Sequence, residues 1–247
     1  MKPLAGLGRS LNRLYENRNH DAYSNGEARV LQKLLLSNPK IILDVGANVG
    51  QYAEMAHSIC AQAKIYSFEP VKATFEILSK KMSGNEQVMC IKKGLYKESR
   101  KVKINIYPGS EHSSFHDIKG VSYEVVQQEE IETTTGDQFM KEMDIEKVDL
   151  LKLDVEGAEM DALLGFSVAL ASQKIRLVQF EYGYINITSK VLLADYYDFF
   201  EKYGYRIGKI YPKSVEFKKY EHKHEDFIGP NFLAVHKDDT ELIRLLQ

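Results

Sequence analysis

The chain has 247 residues, of which 44% are hydrophobic and 28% charged, enough apolar material for one large domain with a sizeable buried core. Lys and Arg number 33 against 35 for Asp and Glu, a formal net charge of −2, so no global basic field points to a nucleic-acid partner. Two cysteines, Cys60 and Cys90, are too few for a disulfide scaffold and do not form a metal-type pair; both read as buried thiols of a reduced compartment.

The first ten residues are broken by Pro3, Gly6, Gly8 and Arg9 and lack the continuous apolar core of a secretory leader. No apolar run reaches the roughly 18 residues needed to cross a bilayer, so the expected location is the cytoplasm, with no membrane span. Residues 1–38 read as a helical extension ahead of the sheet. Glu27 to Leu36 has helical spacing, Ser24 with Glu27 fits an S-x-x-E capping box, and Asn38-Pro39 ends the helix because the residue before proline is disfavoured in helical geometry.

Five short apolar runs follow, at residues 41–45, 64–68, 88–92, 148–153 and 175–180, and read as strands buried on both faces. Residues 51–60 and 72–82 have the spacing and length of the crossover helices that parallel strands require. The alternation predicts an α/β fold with a doubly wound, mostly parallel sheet. Residues 101–135 interrupt it with the alternating stretch Val102 to Tyr107 and a polar Gly-Ser-rich piece, and read as a β-rich insertion. Near the end, residues 205–211 and 231–236 are expected to pair antiparallel at the sheet edge, separated by the charged loop 213–226. No repeat or linker divides the chain, so 1–247 reads as a single domain.

The segment Asp44-Val45-Gly46-Ala47-Asn48-Val49-Gly50 follows the first apolar strand and precedes a helix, the place where doubly wound sheets bind ligands. Its glycines permit a tight turn and close backbone approach to a ligand. Glu69, followed by Pro70, stands about 20 residues on, where nucleotide-binding sheets place an acid for ribose hydroxyls. The plainer reading is a strand-to-helix turn beside a solvated acid. The spacing departs from G-x-G-x-x-G, because Asn48 holds the middle position, and this weakens the alternative of a nicotinamide-dependent oxidoreductase. A second motif, Lys152-Leu153-Asp154-Val155-Glu156-Gly157-Ala158-Glu159, sets acids at the end of the fourth strand on the same sheet edge. There Asp154 and Glu156 either face the cleft or cap the next helix.

Together, Asp44 to Gly50, the Phe68-Glu69-Pro70 tip and Leu151 to Glu159 resemble the FkbM family of S-adenosylmethionine-dependent methyltransferases, over roughly Ile41 to Phe180. The resemblance implies a class I, Rossmann-like methyltransferase fold with a seven-stranded sheet, and O-methylation of a hydroxyl on a sugar, glycan or natural-product acceptor. It implies that Asp44, Gly46, Asn48 and Gly50, with Ala47 between them, surround the methionine end of the cofactor. Glu69 and Pro70 would then lie at the ribose and Leu95 near the adenine. A non-catalytic cofactor-binding module is the remaining alternative, and the acids of the second motif argue against it.

Methyl transfer to an alcohol also needs the hydroxyl proton removed, which makes Asp154 the first candidate base and Glu156 the next. Glu181, at the tip of the fifth strand, is a further strand-end carboxylate. Asp154 with Glu181 has the oxygen chemistry of a Mg²⁺ site, but two carboxylates do not specify one, and a metal-free site is expected. An unperturbed imidazole titrates near neutrality, which makes His112 a candidate base in a loop that resembles the family's serine-containing loop. Its neighbours Ser113 and Ser114 are either ligand contacts or turn formers. His222 to Asp226 has metal-ligand types among many charges and reads as a solvated loop. Tyr182 and Tyr184 are expected to meet the acceptor, whereas the aromatic run from Tyr196 to Tyr203 reads as a buried helix face.

Overall fold

The structure is a computed structural model that describes residues 2–108, 113–118 and 124–247. Helices α1 (Lys2–Tyr15) and α2 (Glu27–Leu35) precede β1 (Ile41–Val45), α3 (Gln51–Ile59), β2 (Lys64–Phe68), α4 (Lys72–Lys81) and β3 (Val88–Ile91). A short β4 (Gly94–Leu95) leads into β5 (Lys101–Ile106), β6 (Ser113–Ser114) and β7 (Gln127–Thr134). Next come α5 (Gly136–Glu142), β8 (Val148–Leu153), α6 (Glu159–Leu164), α7 (Ser167–Ala171) and β9 (Ile175–Glu181). The chain closes with α8 (Asn186–Ser189), α9 (Leu193–Lys202), β10 (Tyr205–Tyr211), β11 (Ser214–Phe217), β12 (Asn231–His236) and α10 (Thr240–Leu246). The strands and crossover helices expected from the apolar runs agree with these bounds to within one residue.

The main sheet has the order β11-β10-β12-β9-β8-β1-β2-β3. From β9 to β3 the neighbours are parallel, and β12 runs antiparallel to both β9 and β10. The expected antiparallel pair of residues 205–211 and 231–236 is therefore present. The sheet holds eight strands rather than seven, because Ser214–Phe217 folds back on β10 as a hairpin. That strand lies inside the segment expected to be a charged loop. Buried Val215 gives it an inward face while Glu216 points to solvent, an alternation too short to stand out among charges.

Side chains alternate across the sheet, so Leu43, Val45, Leu151, Leu153 and Phe180 join one core with residues of α5, α6 and α9. Ile42, Leu150, Leu177 and Leu233 join the other with α2, α3 and α10. Tyr196 and Phe200 of α9 are fully buried, as expected of a core-facing helix. Residues 101–134, joined by β4, build a second sheet of order β4-β7-β5-β6, consistent with the β-rich character read there. Its Ile104 and Ile131 pack on Val71, just before α4.

The expected capping box of α2 does not form. Gly26 takes the N-cap at φ +110, a conformation glycine adopts freely, and a Cβ there would collide with the backbone of Tyr211. Asn25 Oδ1 accepts from the amide of Glu27 at 2.9 Å, and the Ser24 hydroxyl donates to Asp21 instead. Glu27 is drawn inward by the sheet, as described below. Among the described residues, no helix is long and apolar enough to cross a membrane.

Candidate functional site

One row of polar residues crosses the sheet one or two residues before the strand ends. Ser67, Asp44, Lys152 and Gln179 are register partners on neighbouring strands β2, β1, β8 and β9, and all are buried on the α2–α3 side. Lys152 Nζ lies 3.4 Å from Asp44 Oδ1 and 3.2 Å from Asp154 Oδ2, and 5.0 Å from the centre of the Tyr52 ring. Glu27 closes the row from α2, its carboxylate accepting from Asn25 at 2.6 Å, Gln179 at 2.6 Å and Asn231 at 2.8 Å. Burial pushes the carboxyls of Glu27 and Asp44 upward against the pull of Lys152. Burial also opposes the Lys152 charge, but Asp154, Asp44 and Glu27 outweigh it and hold the ammonium above its ordinary value. A buried charge survives only with such partners.

Two residues beyond this row stand Glu69, Gly46, Asp154 and Glu181, which border the open edge. A first cavity, with about 750 Å³ of open space including its mouth, is walled by Gly46, Asn48, Glu69, Pro70 and Leu95, with Asp154 and Glu156 opposite. A second, of about 1100 Å³, takes in Ala47, Tyr52, Glu27, Glu181 and Tyr184. The two share Gly46, Asn48, Asp154 and Glu156. Gly46 has φ +79, and a Cβ there would strike the Asp154 carbonyl, so only glycine lets the two loops meet.

The Glu69 carboxylate accepts from the backbone amides of Asn48 at 3.1 Å and Val71 at 2.9 Å. It is 5% exposed, and burial lifts it to about 7. Two of the expected cofactor residues line neither cavity. Asp44 lies beneath the edge and serves as the partner of Lys152, and Gly50 lets the start of α3 approach Leu78 of α4 and Met82 just after it.

The acids of the second motif do not cap α6. Glu159 folds back and accepts from the amides of Val155 at 2.9 Å and Gly157 at 3.3 Å, which leaves Asp154 and Glu156 on the cavity walls. Glu159 is fully buried, and burial lifts its carboxyl to about 7. Glu181 is raised well above the carboxylate range, first by burial, then by the charges of Asp154, Glu156 and Glu159 and by a hydrogen bond with Asp154.

His112 lies outside the described residues. Its neighbour Ser114 is a structural clamp: its hydroxyl donates to the Glu156 carbonyl at 2.7 Å, while His116 Nε2 lies 3.2 Å from the Gly157 carbonyl. Tyr107, buried, donates to the His116 carbonyl at 3.1 Å. The insertion therefore grips the turn that carries the acids, and Glu156 within that turn has φ +51. Ser113 lines the first cavity.

Tyr182 and Tyr184 part ways. Tyr184 borders the second cavity, but Tyr182, expected to meet the acceptor, is fully buried and donates to Glu225 at 2.6 Å. The end of β9 turns inward there, and its ring packs on Phe227 and Phe232. Glu225 also accepts from the amides of Leu193 and Ala194, so the segment from His222 to Asp226 ties down the start of α9. Among the described residues, no group of three or more His, Cys, Asp or Glu is arranged to hold a metal. Of the two thiols expected to be buried, Cys60 is, and Cys90 is partly exposed.

Sequence reasoning missed the polar row and the contributions of Glu27, Tyr52 and His20 to the second cavity. A lysine inside the apolar run Leu150-Leu151-Lys152-Leu153 was the available signal, since a charge on a buried strand demands a partner.

The methyltransferase FkbM domain family matches residues 44–207. The hexuronic acid methyltransferase AglP of Haloferax volcanii is 28% identical over 162 residues, covering 64% of this chain and 64% of that protein. Methyltransferase sdnD of Sordaria araneosa is 27% identical over 160 residues, covering 53% of this chain and 61% of that protein. The chain thus spans less than two thirds of the length of these curated relatives. A crystal structure of a methyltransferase FkbM from Methylobacillus flagellatus matches with a TM-score of 0.50 at 16% identity, over 80% of this chain and 43% of that one; this likeness concerns the fold alone.

Proposed function

The chain belongs to the methyltransferase FkbM domain family, and on that premise we propose that it is an S-adenosylmethionine-dependent O-methyltransferase acting on a hydroxyl of a sugar, glycan or natural-product acceptor. The observation that carries this reading is that two cavities meet at one point, between Gly46 and Asn48 on one side and Asp154 and Glu156 on the other. Donor and acceptor approaching from opposite sides need such a junction.

The first cavity fits a nucleoside sulfonium. Glu69 offers a carboxylate fixed by two backbone amides for ribose hydroxyls, and Leu95, Phe68 and Ile104 offer apolar surface for a purine. When bound, S-adenosylmethionine supplies an electrophilic methyl group. The second cavity then takes the acceptor, with Tyr184 as a ring for a sugar face.

Asp154 is the residue assigned to accept the hydroxyl proton, held in place by its ion pair with Lys152. Glu181, whose carboxyl is raised by burial and by the charge of Asp154 beside it, orients Asp154, and Glu156 borders the acceptor side. His112 remains a second candidate base on chemical type alone. No metal enters this scheme. The relative named for hexuronic acid methylation supports a sugar acceptor.

Calorimetry with S-adenosylmethionine, S-adenosylhomocysteine and NAD tests the donor. Binding of the two sulfur ligands without NAD is expected, and NAD binding alone refutes the reading. Labelled methyl transfer to a panel of glycans and metabolites then separates an enzyme from an inert binder.

A further inference from the structure

The 14-residue helix α1 carries Leu4, Leu7, Leu11, Leu14 and Tyr15 at the three- and four-residue spacing that aligns side chains along one face. All of them are exposed, between 57% and 78%, and none belongs to a hydrophobic cluster of the described residues. The positions of Lys2, Arg9 and Arg13 fall on the opposite face by the same periodicity. The helix contains no Asp or Glu, in a chain whose net charge is −2.

We propose that α1 is a docking surface for anionic lipid, lying in the membrane interface with its leucine face among the acyl chains and its basic residues near the headgroups. A leucine stripe opposite a basic face is the pattern of interfacial helices, whose binding adds apolar burial to attraction for anionic lipid. A second copy of the chain fits less well. A stable coiled coil needs about three or four heptads, and α1 spans two. Pairing would also bring together two basic, acid-free helices, and Gly6 and Gly8 weaken the helix without partner packing.

The helix is tethered to the rest of the protein immediately after its end. Glu16 forms an ion pair of 2.6 Å with buried Lys209 of β10, and Asn17 Nδ2 donates to the carbonyls of Asn25 and Ile210 at 2.8 and 3.0 Å. The segment then runs past His20 and Ala22, which line the second cavity. A lipid surface holding α1 therefore lies beside the acceptor side of the site.

The test is co-sedimentation of the full chain with vesicles of phosphatidylcholine alone or mixed with phosphatidylglycerol, at low and high salt. The wild-type protein should pellet with the mixed vesicles, less so at high salt, and only weakly with phosphatidylcholine. The variant L7E/L11E should lose more than about tenfold in partitioning, since it removes two large apolar side chains from the acyl region and sets two carboxylates against anionic lipid. Its circular dichroism and its binding of S-adenosylhomocysteine should stay unchanged, because both positions are exposed. Absence of wild-type binding, or equal binding by the variant, overturns the proposal. A wild-type dimer that L7E/L11E splits, without vesicle binding, assigns the face to a second copy instead.

Discussion

Lys152 Nζ lies 3.2 Å from Asp154 Oδ2 although the lysine is buried and the aspartate side chain is 46% exposed. A charge inside the sheet thus sets the position of a carboxylate outside it. Lys152→Met removes that anchor and leaves Asp44 buried without its ion-pair partner. The expected loss is about 3–5 kcal/mol of stability, read from urea unfolding. Adding Asp44→Asn should recover a substantial part, because the neutral amide removes the stranded charge. A single variant as stable as wild type would contradict the pairing.

Asp154→Asn keeps the shape of the side chain and removes its basicity. Methyl transfer should fall by about 10²–10⁴-fold, while calorimetric affinity for S-adenosylhomocysteine changes by less than about threefold, a small fraction of a binding free energy. Unchanged turnover would remove Asp154 from the proton-accepting role.

Glu69 has its carboxyl raised to about 7 by burial, and only the ionised form accepts hydrogen bonds from both ribose hydroxyls. Affinity for S-adenosylhomocysteine should therefore rise with pH, by up to about tenfold per pH unit below 7, and level off above it. Glu69→Gln should bind more weakly at high pH and lose this part of the pH dependence. A wild-type affinity flat across the range contradicts the assignment.

Glu159 gives the opposite trend in stability. Its folded pKa, about 7, stands above the ordinary 4.5 because of burial, so the native state holds the proton more tightly than the unfolded chain. The stability it contributes is present below about 4.5 and is lost as pH rises towards 7, by at most about 3 kcal/mol. Glu27, Asp44 and Glu181 shift in the same direction. Urea midpoints of the ligand-free protein should fall across this window, and Glu159→Gln should flatten part of the fall.

Gly46→Ala should cost more than about 2 kcal/mol, since it combines a left-handed backbone with a collision against the Asp154 carbonyl. Thermal melting reads the loss, and calorimetry should find no binding of S-adenosylhomocysteine. An alanine variant that binds normally would show that the two loops need not approach so closely.

The parallel strands were legible because each is an apolar run of strand length bounded by turns, and the turn after β1 was legible from its glycines. The polar row was not. Ser67, Asp44, Lys152 and Gln179 are far apart in sequence, and only strand register brings them side by side. Tyr182 was misplaced because strand-end position favours the cleft, whereas Glu225, 43 residues later, draws its hydroxyl inward. The Ser24 cap failed for a similar reason: Glu27 satisfies three amide donors, two of them from distant strands. Local patterns located the strand ends that border the two cavities, and long-range polar pairing decided where each side chain there is held.

The clamp of Ser114 and His116 on the carbonyls of Glu156 and Gly157 makes the insertion and the acidic turn one mechanical part. Ser113 and Phe115, their neighbours on the same strip of chain, line the first cavity, while Glu156 borders the second cavity as well. A sequence change in this strip is felt in both cavities together. Grafting an insertion from a relative to reshape the second cavity would reshape the first with it, and success would require exchanging the acidic turn in the same piece.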